Sequence, residues 1–368
     1  MTAPALPLLT RLGSYELVRL LAQGGMADIY LARQDGTEQP VAVKVLNHAR
    51  SRDEEAQALF LDEARLLAML HHEHLAGVHQ VDVAGGVHYL AMEYVHGADL
   101  REILAIAGKL DLAIPYAAAV SIIAAAANGL DHAHRRCDAD GKPLHLVHRD
   151  VSLSNIMVGH DGTVKVVDFG IATATISSHA TNPGIVRGKA SYMSPEQCLG
   201  DPVDLRTDVF ALGVVLYELT TGQRCFHGNT DFERMLAVVQ GTYVRPCDAN
   251  PLFPRELAAV IERALALDPV ERFPSAAALI DALEQAAAAL GWALGSAPIV
   301  ATMRALYGDV AEPPVGESLE ATEPAAPALS RRFPRGTDCG GISSPDYDEE
   351  PTRGRRSAPR LWCSRLAA

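Results

Sequence analysis

Thirteen residues, 146–158, concentrate the groups in this chain that could do chemistry: Leu146-Val147-His148-Arg149-Asp150-Val151-Ser152-Leu153-Ser154-Asn155-Ile156-Met157-Val158. Apolar residues at Leu146, Val147, Ile156 and Met157 bracket a polar stretch. That pattern predicts two short strands holding a turn. Asp150 and Asn155 stand five positions apart. One loop can therefore aim a carboxylate at a hydroxyl and an amide oxygen at a metal ion. Phosphoryl transfer from a nucleotide needs such a pair, one group to orient the attacking hydroxyl and one to hold Mg²⁺. A polar hairpin without chemistry is the alternative at this point, because short motifs also match by chance.

Two further groups fit the same chemistry. Lys44 interrupts the apolar run Val41-Ala42-Val43-Lys44-Val45-Leu46. It is either an edge-strand lysine with a solvated ammonium or an inward one that needs an anionic partner, since an unpaired buried charge is costly. Glu63, on the helix expected next, can be that partner. Lys44 would then hold the α- and β-phosphates while Glu63 fixes Lys44. Asp168-Phe169-Gly170 follows an apolar strand, 18 residues beyond Asp150. A carboxylate at a strand end suits a second metal ligand, and Gly170 lets the backbone turn.

The elements that must position these groups read as two blocks. Residues 15–18, 28–31, 41–46, 78–83 and 87–95 have strand character, with a glycine turn at Gly24 and Gly25. Residues 52–70 have helical periodicity, with acids early and apolar residues at Leu61, Ala64, Leu67 and Ala68. The first hundred residues thus predict a five-stranded antiparallel sheet with one helix. After Gly97 the character is mostly α. Helical patterns cover 113–134, 207–220, 231–240, 255–267 and 275–290, and one strand covers 163–167. A small β-rich lobe and a larger α-rich lobe, joined near Glu93 to Gly97, would leave a cleft between them.

The ordered motifs resemble those of eukaryotic-like bacterial Ser/Thr protein kinases. The matches run through Gly24, Lys44 in a V-A-I-K-like strand, Glu63, His148-Arg149-Asp150, Asn155, Asp168-Phe169-Gly170, Ser194-Pro195-Glu196, Asp208 and Arg272. The resemblance implies an α+β, bilobal protein kinase fold. Its catalytic domain would span 14–290, with a small lobe over 14–96 and a large lobe over 97–290. It implies ATP and Mg²⁺, with Asp150, Lys44 and Glu63 catalytic and Asn155 and Asp168 as metal ligands. Ala22, Gly24, Gly25, Ile29, Ala42, Lys44, Met92, Glu93, Val95 and Met157 would contact the nucleotide, with residues 91–95 as the adenine hinge. Glu196 would brace Arg272, and Asp208 would accept backbone bonds from the catalytic loop. Arg149 would pair with a phosphate on the activation segment, where Thr173, Thr175, Ser177, Ser178 and Thr181 are candidate acceptors. Partners would be proteins with Ser or Thr acceptors, including the chain itself or another kinase in trans.

Departures from the family pattern matter too. The nucleotide loop has Ala22 and Ala27 where the outer glycines are expected. Ser152 stands where Ser/Thr kinases usually carry a Lys, and Lys189 follows Gly188 where they usually carry a Thr. We expect a swap, with Lys189 supplying the cation that Ser152 lacks. A pseudokinase, a nucleotide-binding scaffold with little turnover, is the alternative that Ser152 and Ala27 leave open.

Composition narrows the rest. A length of 368 residues with 48% hydrophobic content fits two or three packed units with an aliphatic core. A net charge of -13 argues against a nucleic-acid partner held by broad electrostatics. Six cysteines without C-x-x-C spacing read as reduced thiols, and no leader or membrane anchor is legible, so a cytoplasmic location is expected. Residues 286–303 carry too many Ala, Gly and Ser to span a bilayer and predict a helix end, a turn and a second helix within a 291–311 extension. Residues 312–368, rich in Pro, Ala, Glu and Arg, predict a disordered tail. The His71, His72, His74 cluster reads as a solvated connector, and 138–141 as a turn.

Overall fold

The structure, a computed structural model, describes residues 11–37, 39–47, 53–138, 140–169 and 190–310. Strands β1 (Arg11–Leu12), β2 (Tyr15–Gln23), β3 (Ala27–Gln34) and β4 (Pro40–Leu46) are followed by helix α1 (Glu54–Ala68), then β5 (Val78–Ala84) and β6 (Val87–Glu93). These six strands form one antiparallel sheet in the order β1-β2-β3-β4-β6-β5. The five expected strands are there, and β1 adds a sixth, ahead of the expected start at residue 14. Two residues are too few for alternation to show in sequence. The strand holds because Leu12 buries beside Tyr15 and Tyr89 on the outer face of the sheet.

Strand period explains β4. Val41, Val43 and Val45 join the outer-face cluster, whereas Ala42 and Leu46 join the main core on the other side. Lys44 shares parity with Ala42 and Leu46 and so points toward the inner face. Helix α1 supplies the partner by its own period. Its buried residues are Ala56, Leu59, Phe60, Glu63, Ala64 and Leu67, the spacing of one helical stripe, with Glu63 inside it. Asp53 caps the helix by accepting from the Glu55 and Ala56 amides, and Glu54 and Glu55 favour the positive helix end.

The second lobe begins with β7 (Gly97–Asp99) and runs through α2 (Leu100–Lys109), α3 (Tyr116–His134), β8 (Ile156–Gly159), β9 (Val164–Val166), α4 (Pro195–Leu199), α5 (Arg206–Thr221), α6 (Asp231–Gln240), α7 (Pro246–Ala249), α8 (Arg255–Ala264), α9 (Ala276–Ala289) and α10 (Ser296–Tyr307). β7, β8 and β9 form a small antiparallel sheet. Helix α2 is an addition to the sequence reading. Its start is set by Asp99, which accepts from the Glu102 amide at 2.8 Å. The expected strand at Leu146 and Val147 does not form: 144–150 is irregular, and of the two predicted strands only β8 exists. The His148 and Arg149 amides that follow are claimed by a carboxylate from α5 instead, as described below.

Helices α3, which is Ala-rich, and α5 form the centre and are buried along most of their length. The chain beyond α9 is integral to this lobe. Trp292 stacks on Tyr116 with centroids 5.5 Å apart, the Gly295 amide donates to Ser121 Oγ, and Tyr307 meets His160 at 5.2 Å. Gly162, at φ +85°, lies so close to α10 that an added Cβ would sit 2.9 Å from Val300 Cγ2. The turn and second helix expected from 286–303 are therefore present. Among the described residues no helix is long and apolar enough to cross a membrane, and Cys137, Cys198, Cys225 and Cys247 form no disulfide. The expected tail at 312–368, Gly170, Thr173, Thr175, Ser177, Ser178, Thr181 and Lys189 lie outside the described residues.

Candidate active site

The connector after α1 stitches the lobes together. The Val166 amide donates to His74 O at 2.9 Å and the Ala76 amide to Val166 O at 3.1 Å, so the end of β9 is tied to the small lobe. His72 and His74 belong to this connector. There His74 Nδ1 lies 3.1 Å from Val164 O, and His72 packs against His132 with ring centroids 5.0 Å apart. Asp138 accepts from the Asp140 and Lys142 amides, which makes 138–141 a turn.

Asp168 emerges where β9 ends and faces Lys44. Lys44 Nζ donates to Glu63 Oε1 at 2.8 Å and to Asp168 Oδ1 at 2.9 Å. Burial by itself would lower the Lys44 pKa, but the Asp168 and Glu63 carboxylates more than reverse this and hold it above that of an ordinary lysine. The edge-strand alternative for Lys44 is thereby excluded. Asp168 adopts φ +55°, a conformation that non-glycine residues rarely take. Phe169 is buried against His148, with ring centroids 4.5 Å apart.

The catalytic stretch is held by a buried carboxylate rather than by a hairpin. Asp208, in the first turn of α5, accepts from the His148 amide at 2.8 Å, the Arg149 amide at 2.9 Å and His134 Nε2 at 2.8 Å. Burial pushes the Asp208 pKa up, and the His134 bond with the other donors pulls it below the usual carboxylate range. His148 Nε2 lies 3.1 Å from Val167 O, which can only accept, and Nδ1 lies 3.3 Å from the Asp150 amide, which can only donate. The ring is therefore neutral with its proton on Nε2. Burial lowers its pKa and favours that form. Arg149 sits at φ +66°, and Gln197 donates to its carbonyl at 2.9 Å.

Asn155 ends the 3₁₀ turn Leu153–Asn155 and directly precedes β8. Its Nδ2 donates to Asp150 O at 2.8 Å and Asp150 Oδ2 at 2.9 Å. The amide nitrogen thus fixes the Asp150 carboxylate, and the amide oxygen, which accepts a long 3.4 Å bond from Ser154 Oγ, can still take a cation. The donor set suits Mg²⁺. Glu63 and Asp168 share the one Lys44 ammonium and Asp150 adds its charge nearby, so the cluster carries an excess of negative charge, and hard carboxylate and amide oxygens are the ligands that ion takes.

Sheet register gathers the expected nucleotide contacts. Ala22 pairs with Ile29, Ile29 with Lys44, and Ala42 with Met92, which gives one apolar cross-strand roof over the cleft. Met157, half-buried on β8, belongs to the opposite lobe. Gly24 is required by the turn itself, because a Cβ there would meet Ala27 O at 2.6 Å. Asn47 donates to Gly24 O at 2.7 Å, and the Gly24 amide donates to Asp28. Gly25 is exposed with open space around it. The Glu93 carboxylate is taken by Lys165, at 2.8 Å, and by the Gly77 amide, so any contact of Glu93 and Val95 with a base falls to the main chain. Asp28, Asn47, Lys165 and Gln197 escape a sequence reading. They act through second contacts, which no motif records.

Glu196 and Arg272 form the anticipated brace. Two parallel bonds of 2.7 and 2.8 Å join them, and Arg272 also donates to Ala266 O, Leu267 O and Arg206 O.

Comparison with known proteins agrees with this geometry. A family model described as "Protein kinase domain" matches residues 15–282. "Tyrosine-protein kinase MasK" of Myxococcus xanthus is 39% identical over 310 residues, 83% of this chain and 48% of that protein. "Serine/threonine-protein kinase PknB" of Mycobacterium leprae is 37% identical, over 72% of this chain and 41% of the relative. This chain therefore spans less than half the length of either. Among solved structures, the PknI kinase domain of Mycobacterium tuberculosis superposes with a TM-score of 0.56 at 28% identity, covering 77% of this chain and all of that one. A match across 15–282, on top of a two-lobed fold with every motif in order, means that this chain belongs to the protein kinase family.

Proposed function

We propose that the chain transfers the γ-phosphoryl group of ATP to Ser and Thr hydroxyls of proteins, with autophosphorylation of its own activation segment. The observation that carries this is the joining of Lys44 to both Glu63 and Asp168 across the cleft from the Asp150–Asn155 pair. In this reading Lys44 binds the α- and β-phosphates, and Glu63 keeps its ammonium aimed. Asp168 and the Asn155 oxygen hold Mg²⁺, which when bound neutralises charge on the phosphates. Asp150 accepts the proton of the acceptor hydroxyl as its oxygen bonds to the γ-phosphorus and the bond to the departing ADP oxygen breaks. The hydrophobic roof of Ile29, Ala42 and Met92, with the hinge main chain, takes the base. The scaffold alternative gains nothing from the geometry, since Ser152 and Ala27 leave this network whole.

Tyrosine is the second acceptor to weigh. MasK is named a tyrosine kinase, and here Ser152, nearly fully buried, bonds Ser154 Oγ at 3.1 Å rather than supplying the usual cation. Phosphoamino-acid analysis of a labelled protein substrate separates the two. Phosphoserine and phosphothreonine are expected, and phosphotyrosine alone would reassign the acceptor. A cytoplasmic location and partners without nucleic acid remain part of this proposal.

A further inference from the structure

A cleft of about 370 Å³ opens beside the catalytic loop, walled by Ser152 and Ser154 of that loop and by Arg101, Tyr192, Glu218 and Arg224. Its one carboxylate is not an open anion. Glu218 is 3% exposed, Tyr192 Oη donates to Oε2 at 2.7 Å, and the Cys225 amide donates to Oε1 at 3.2 Å. The two guanidiniums are the groups left to a ligand. Arg224, just past the end of α5, is exposed and has no hydrogen-bond or ion-pair partner among the described residues. Arg101, on α2, is exposed and among the described residues bonds Asp99 Oδ2 alone, at 3.2 Å, while the other Asp99 oxygen caps α2. Both arginines act electrostatically on Tyr192, so they bear on one place from two different elements. They do so in a chain of net charge -13.

We infer that this cleft selects protein substrates with an anionic side chain close to the acceptor, and that Arg101 and Arg224 are the specificity-determining residues. The inference rests on the kinase reading above. Ser152 and Ser154 lie two and four residues past Asp150. The cleft therefore adjoins the catalytic loop, which places the anion close to the acceptor in the substrate sequence. A guanidinium fork matches carboxylate and phosphate oxygens alike. Asp, Glu and phosphorylated Ser or Thr share that chemistry.

The test is a positional peptide library with a fixed Ser acceptor, scored with the full chain, ATP and Mg²⁺. Asp, Glu, phosphoserine, Lys, Arg and Ala are placed at each flanking position. Wild type should favour the anions at one or two positions, by about two- to fivefold in kcat/KM over Ala, the range for exposed charge pairs. Stronger gain from phosphoserine than from Asp or Glu would mark a substrate primed by another kinase; equal gain would mark a plain acidic motif. Both support the inference. Arg224→Glu should invert the preference toward Lys or Arg at the same position while the KM for ATP holds, a reversal that mere loss of structure cannot produce. Arg101→Ala should weaken the preference without inverting it. No anion preference in wild type, or an unchanged preference in Arg224→Glu, overturns the inference. Should wild type transfer no phosphate at all, the kinase reading fails instead. Fluorescence anisotropy of labelled Asp-, phosphoserine- and Lys-containing peptides on Asp150→Asn protein then decides the cleft separately. Tighter binding of the anionic peptides, lost in Arg224→Glu, supports it, and equal binding overturns it.

Discussion

Replacing Lys44 with Met separates chemistry from stability, because the side chain serves both. Its ammonium lies 2.8 Å from Glu63 and 2.9 Å from Asp168. Removing one positioned charge from a phosphoryl-transfer site should lower kcat by about 10²–10³-fold, roughly 2.7–4 kcal/mol. Breaking a buried pair costs about 3–5 kcal/mol when the orphaned charge stays ionised. Two features reduce that here. Asp168 is a third exposed, so water screens it, and burial already pushes Glu63 up, so it can take a proton. We expect a net loss of about 1–2 kcal/mol, or a Tm lower by roughly 2–6 °C. The sign with pH follows from Glu63. Without Lys44 its folded pKa lies further above the unfolded value, so the folded variant binds the extra proton. Its stability is then best at low pH and is lost as pH rises through the folded value. The Tm gap to wild type should therefore narrow from pH 8 to pH 5. Adding Glu63→Gln to Lys44→Met should recover Tm but not turnover. Calorimetric melts across this range, with steady-state transfer from labelled ATP, read both. A variant that keeps more than a tenth of wild-type kcat, or a gap that widens on acidification, would refute the reasoning.

Other consequences can be checked alongside. If Lys189 supplies the charge that Ser152 lacks, Lys189→Ala should lower kcat about 10²-fold with little change in the KM for ATP, and Ser152→Lys should rescue that variant partly; a double-mutant cycle without coupling would remove the swap. Autophosphorylation should fall on one or more of Thr173, Thr175, Ser177, Ser178 and Thr181, and its activating effect should be lost in Arg149→Ala; phosphopeptide mapping that finds sites only beyond residue 311 in a fully active enzyme contradicts this. Arg272→Ala leaves the buried Glu196 with the Thr207 hydroxyl but no counter-charge and should cost about 3–5 kcal/mol in denaturant melts. Burial pushes Glu196 up but Arg272 holds it below the usual carboxylate range, so the advantage of wild type over Arg272→Ala is present above about pH 4.3 and should shrink as pH falls below it.

What the sequence made legible was whatever a period or a motif records. β4 could be read because alternation assigns faces, and Lys44 on the inner face follows from Ala42 and Leu46. Glu63 could be read because it falls on the apolar stripe of α1. The polar stretch at 148–155 could be read as chemistry but not as shape. It looked like a hairpin, since nothing local shows that Asp208, about sixty residues on, satisfies the His148 and Arg149 amides. β1 escaped because two residues carry no period, and α2 because its start rests on a single cap, Asp99. The anionic-substrate cleft was invisible for a related reason. Arg101 and Arg224 are 123 positions apart and come together as walls of one cleft.

The most direct test of the proposed kinase activity is transfer of label from γ-labelled ATP with Mg²⁺ to protein, comparing wild type with Asp150→Asn. Asp150 is held by Asn155 at 2.9 Å and lies outside the apolar core, so the variant should fold and melt like wild type. Labelled Ser and Thr are expected in wild type, with loss of the label when Mg²⁺ is chelated. Transfer in Asp150→Asn should be at least 10²-fold slower, on the scale of a positioned general base. Equal labelling of the two proteins, or none from a folded wild type, would contradict the assignment.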